Sequence, residues 1–209
     1  MKTRGVIALN RAITWWWTII GGFSLAVVTI IVLANAGEPS TPGRSGLLPN
    51  LFHEKSAGYS IRYPVGWIYE KPDGATVIFS GRRDTDDYVT TVSLQNVLTA
   101  RAGGKHPDVA SLVDDLKNQF KNGDQNARFS EEKSIQLSAE DGSATSGASF
   151  GAVYRMNGKQ YQQWIVVVPH ASGEVFHAFF YTSPTDLYAR NRKIAADMLA
   201  TLRLQETIE

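Results

Sequence analysis

Ser149 stands in the run Gly147-Ala148-Ser149-Phe150-Gly151, a G-x-S-x-G pattern. That pattern can seat a nucleophilic hydroxyl on a sharp turn between a strand and a helix. Glu174 and His177 follow it in the chain order of an acid and a base. The context argues against a hydrolase. "AVYRMNG" continues the run as a strand entering a hairpin, and only 58 residues follow Gly151, too few for the rest of such a sheet. Ser149 is therefore expected inside a strand, with no histidine backed by an acid within reach of its hydroxyl. Serine hydrolysis is kept only as a remote alternative.

Metal chemistry has little to work with. His53, His106, His170 and His177 show neither H-x-x-x-H nor H-E-x-x-H spacing. Asp84, Asp86 and Asp87 lack the glycine and glutamate of a calcium loop. His177 alternates with Val175 and Phe179, which predicts a hydrogen-bonded core or cleft residue. No phosphate loop, dinucleotide fingerprint or haem motif is present. The sequence reads as non-catalytic, with no cofactor and no metal site.

These residues must be positioned by a β-rich domain over 51–209. "GYSIRYP" alternates Tyr59, Ile61 and Tyr63 against Ser60 and Arg62, a strand with one buried face. "WIYE" and "TVIFS" form a hairpin about Pro72-Asp73-Gly74, and Tyr88 to Leu98 is a long β run. Asp108 caps a helix whose stripe is Val109, Leu112, Val113, Leu116 and Phe120, with Gly123 as its stop. "ARFSEEKSIQL", "ATSGASFGAVYRM", "QYQQWIVVV" and "EVFHAFFYT" read as strands, with Asn157-Gly158 as a tight hairpin turn. The chain closes in a helix capped by Ser183, with Pro184 first and Asp186 completing a capping box. Its inner stripe is Leu187, Asn191, Ile194, Ala195, Met198 and Leu202. Ile165 and Val167 oppose Trp164, Val166 and Val168, while Phe176 and Phe180 oppose Phe179 and Tyr181. Strands apolar on both faces need cover on both faces. The expected fold is α+β, an antiparallel sheet sandwiched between helices, with Tyr63, Trp67, Trp164 and Phe179 mostly buried.

The N-terminal quarter is different in kind. Lys2, Arg4 and Arg11 precede 21 uncharged residues, Ile13 to Leu33, and all 20 acidic residues lie from Glu38 onward. As a helix that run is about 31 Å long, enough to cross a bilayer. Trp15, Trp16 and Trp17 sit at its basic end, where an aromatic belt belongs. The positive-inside rule puts residues 1–12 in the cytoplasm, a transmembrane helix at 13–36 and the domain outside: periplasmic, extracellular or, in a phototroph, thylakoid-lumenal. Ala34-Asn35-Ala36 suits signal peptidase, so a cleaved signal remains the alternative. Residues 37–50, with three prolines and three glycines, form a linker. Gly22 and Ala26 make a small-xxx-small pair against which a second helix can pack.

"GYSIRYPVGW", the hairpin after it, the mid-chain helix and "VFHAFFYTSPTDLYARNRKIAADMLATLRL" together resemble the PsbP-like family. That family includes the extrinsic PsbP proteins of photosystem II and bacterial envelope proteins of the DcrB type. The resemblance implies an antiparallel sheet between helices, and a binding or assembly role. Many bacterial members are lipoproteins held by a modified cysteine; this chain has none.

Two loops are candidate contacts: Ser80 to Asp87, with Arg82 and Arg83, and Thr99 to Pro107, with Arg101 and Lys105. A formal net charge of +1 argues against nucleic acid as a partner. The expectation is a membrane-anchored accessory or assembly subunit whose helix and domain bind a membrane protein complex. A signal-cleaved envelope binding protein is the alternative.

Overall fold

A computed structural model describes residues 48–138, 142 and 144–205. The apolar run and its Gly22 and Ala26 lie outside the described residues. Among the described residues no helix is long and apolar enough to cross a membrane.

The centre is an eight-stranded antiparallel sheet. Its strands are β3 (Trp67–Glu70), β4 (Thr76–Gly81), β5 (Thr91–Leu98), β6 (Arg128–Phe129), β7 (Lys133–Ser138), β8 (Ala144–Met156), β9 (Lys159–Pro169) and β10 (Val175–Pro184). The order is β3-β4-β5-β10-β9-β8-β6, with β7 also pairing β8. A small second sheet holds β1 (Asn50–Glu54), β2 (Tyr59–Tyr63) and β11 (Arg203–Leu204) in the order β1-β2-β11. Helix α1 is Val109–Gly123 and helix α2 is Thr185–Ala200.

The alternation within β9 and β10 divides the core in two. Phe150, Ile165, Val167, Phe176 and Phe180 pack with Leu112, Val113 and Leu116 of α1. Val166, Val168, Phe179 and Tyr181 pack with Ala195, Met198 and Leu199 of α2 and with Tyr59, Ile61 and Phe52 of the small sheet. The sheet is thus covered on both faces, as two-sided apolar strands require. Asn157 and Gly158 both take positive φ (51° and 77°), the backbone of a tight two-residue hairpin turn, and turn β8 into β9. Asp108 caps α1 by accepting from the Ser111 amide at 2.8 Å.

Three local expectations are corrected. Ser183 does not cap α2: it is buried in β10, which runs on through Pro184 by pairing with Tyr161. Pairing with β9 overrides the capping pattern, and the helix begins at Thr185 with Asp186 in its first turn. Tyr88 and Val89 belong to a 3-10 turn, Asp86–Val89, and β5 starts at Thr91. "ARFSEEKSIQL" is two short strands, both held by β8. Trp67 and Phe179 are buried, and Tyr63 and Trp164 pack partly buried against the same core, in line with the expectation. Trp164 is mid-strand in β9, and the Arg192 guanidinium covers its ring at 3.4 Å from the centroid.

Candidate functional site

Ser149 lies mid-strand in β8, opposite Val166. Its Oγ accepts from Trp164 Nε1 at 2.7 Å. His177 is elsewhere, with its Nδ1 3.0 Å from Asn96 Oδ1. The flanking Gly147 has a packing reason: a Cβ there would come 2.1 Å from the Val167 carbonyl oxygen. What resembled a nucleophile elbow is a close approach of two strands.

His177 belongs to a buried polar group. Its ring is 5.3 Å from Tyr59 and 5.6 Å from His170, centroid to centroid. Burial, and then the neighbouring His170, push its pKa down to about 3, so it is neutral at physiological pH. His170 Nδ1 accepts from the Ser172 amide at 3.1 Å, and burial lowers its pKa as well. His177 is thus the hydrogen-bonded core residue its alternation predicts, and it ties β5 to β10.

A second constellation was missed from sequence. His106 is buried, with Nδ1 3.3 Å from Ser111 Oγ and Nε2 3.5 Å from Asp115 Oδ2. Ser111 and Asp115 are four apart on α1 and share a face, a spacing that could have been read from sequence. The same carboxylate oxygen receives Lys105 Nζ at 2.8 Å and Gln119 Nε2 at 2.9 Å. Burial works to raise the Asp115 pKa, but these donors outweigh it and hold it below the ordinary value. Burial lowers that of His106. An open cleft of about 430 Å³ lies over this group, lined by Lys105, His106, Ser111, Asp114, Asp115 and Asn118. Lys105 and Gln119 both reach one carboxylate oxygen, and His106 lies beside it. Chemically the group latches the basic loop to α1.

The two candidate contact loops sit at opposite ends of the sheet. Arg82 and Arg83 follow β4, whose Ser80 pairs with Thr91 at the start of β5. Arg101 and Lys105 follow Leu98, the end of β5. Seven residue steps of strand put about 23 Å between those ends. The loops cannot form one compact contact. Arg82 and Arg83 are exposed, with Arg83 over the Tyr88 ring. Their loop is fixed behind: Asn191 Nδ2 donates to Asp87 Oδ1 at 3.0 Å, and Thr90 and Ser183 hydroxyls meet at 2.9 Å. Arg101 is exposed in a 3-10 turn.

The chain arrives at the Arg82–Arg83 end. Asn50 pairs with Tyr63 and donates from Nδ2 to the Pro64 carbonyl at 2.9 Å. Trp67, just after that turn, pairs with Gly81, one residue before Arg82. Leu48 packs against the core of the α2 side.

An antiparallel sheet with one helix on each face and a small strand group under the second helix defines a PsbP/Mog1-like fold. Solved structures share it. The solution structure of cyanobacterial PsbP (CyanoP) from Synechocystis sp. PCC 6803 matches at TM-score 0.50 and 13% identity, over 79% of this chain and 98% of that one. LpqN of Mycobacterium tuberculosis, described as involved in cell envelope biogenesis, matches at 0.51 and 17%, over 75% and 90%. The Ran-binding protein Mog1p of Saccharomyces cerevisiae matches at 0.48 and 12%, over 74% and 94%. No protein-family profile and no curated protein matches the sequence.

Proposed function

We propose that this chain is a non-catalytic accessory or assembly subunit, anchored by its N-terminal apolar helix and binding a membrane protein complex. One observation carries the reading: the tethered end of the domain and the Arg101–Lys105 loop are at opposite ends of the sheet. An anchored domain so arranged turns its tethered end toward the bilayer and offers the far end, with Arg101 and Lys105, to a partner that protrudes from the membrane. The helix adds a second contact through Gly22 and Ala26, and two weak contacts on one tether reinforce each other.

The test is co-purification from native membranes. Gly22→Leu and Arg101→Glu should each reduce partner recovery several-fold, with insertion and the circular dichroism of the domain unchanged. Recovery unaffected by either change would sink the reading. A second reading, release after Ala36 as a soluble envelope binding protein, is favoured by the Ala34-Asn35-Ala36 triplet. The intact mass of the native protein separates the two, because a mass beginning at Gly37 removes the anchor.

A further inference from the structure

Val65 is 71% exposed at the turn between β2 and β3, and Val89 is 46% exposed just before β5. Strand pairing brings both to the end of the sheet at which the chain arrives. Trp67 opposite Gly81 and Ser80 opposite Thr91 place the 64–66 turn beside the 82–90 loop. Arg82 and Arg83 are exposed on that loop, and Tyr88 is half-buried beneath Arg83. Exposed apolar tips flanked by arginines and a tyrosine match the layered chemistry of a headgroup region, where guanidinium groups pair with phosphate and short apolar side chains reach below it.

The length of chain before the domain selects the occupant. Between Leu33, the end of the apolar run, and Leu48 lie 14 residues. A random coil of 14 residues has a mean span of about 20 Å. On average this keeps the end at which the chain arrives nearer the surface than the far end of the sheet.

We propose that the end bearing Val65, Val89, Arg82 and Arg83 docks on the phospholipid headgroup layer of the membrane that anchors the chain. The inference rests on the anchoring reading and adds an orientation to it. Asp87 is turned inward to Asn191, so it does not face the lipid. Asp84 and Asp186 are exposed nearby and limit the attraction, so the apolar pair must share in the contact. Docking in this direction leaves the Arg101 and Lys105 end free for a protein partner.

The chain has no cysteine, which makes single-label experiments direct. Val65→Cys, Val89→Cys and, at the opposite end, Leu98→Cys (a residue 54% exposed) are introduced one at a time into the full chain. Each carries a bimane label and is reconstituted into nanodiscs of phosphatidylcholine, with or without phosphatidylglycerol, containing a headgroup-nitroxide lipid. Quenching at positions 65 and 89 is expected to exceed that at 98 several-fold. Arg82→Glu/Arg83→Glu should roughly halve it at 65, with more quenching in the anionic discs at low salt. Equal quenching at all three positions overturns the docking. So does protection of position 65 that arises only when native membrane proteins are added, which assigns this end to a protein. A chain that stays out of the nanodiscs removes the anchor, and both readings fall together.

Discussion

His177 shows how a residue that looks chemical can be structural. With a folded pKa near 3 against an ordinary 6.5, it stays neutral while the unfolded chain takes up a proton. Stability is unaffected above about pH 6.5 and falls as pH drops from there toward 3. The slope contributed by this one residue approaches about 1.4 kcal/mol per pH unit. His106 and His170 are shifted in the same direction and add to it. Urea midpoints measured from pH 7 to 4 should therefore fall steeply in the native protein and less steeply in His177→Gln. Parallel slopes in the two proteins would contradict this account. Asn191 is the other informative side chain. It was legible as the single polar member of an apolar stripe, and the structure supplies its reason in Asp87 and Thr90. Asn191→Ala leaves those acceptors without their donor and is expected to cost about 1–3 kcal/mol in chemical denaturation.

At the scale of elements, the G-x-S-x-G segment tests strand packing against catalysis. Gly147→Ala forces a Cβ onto the Val167 carbonyl and should destabilise by roughly 1–3 kcal/mol, because a backbone atom cannot step aside as a side chain can. Ser149→Ala loses only the Trp164 hydrogen bond, about 1 kcal/mol. A nucleophile elbow predicts the reverse emphasis, with a stable Ser149→Ala protein stripped of activity. Thermal unfolding of both variants, alongside a hydrolase assay, separates the two. The first turn of α1 follows its local code: Asp108→Ala should cost about 1 kcal/mol, since the Ser111 amide loses its acceptor. The first turn of α2 does not, because Ser183 spends its hydroxyl on Thr90.

For the whole domain, the central strands decide cooperativity. Phe179 serves the core beneath α2 and its chain neighbour Phe180 the core beneath α1. Phe179→Ala and Phe180→Ala should each cost about 3–5 kcal/mol. Neither core can melt alone, because both are built on the same strands. Calorimetry of either variant should show one transition at a lowered temperature. Two resolved transitions would mean that the layers fold independently.

The sequence by itself determined the layered antiparallel fold, since alternation in β9 and β10 demands cover on both faces and Asn157-Gly158 admits only a tight turn. It also marked Asp108 as a cap, because the cap and the amide it serves are three residues apart. Where the deciding partner was remote, local pattern failed. Ser183 reads as a cap until Tyr161 and Thr90, neither of them local to it, claim its segment for the sheet. His106 is a different case: its partners Ser111 and Asp115 lie five and nine residues on and share a face of α1, so that local signal was there to be read. Arg82 and Arg83 stand on one candidate loop, Arg101 and Lys105 on another, and the sequence does not say how the two loops lie. Only strand register, which is fixed by burial across the sheet, sends them to opposite ends.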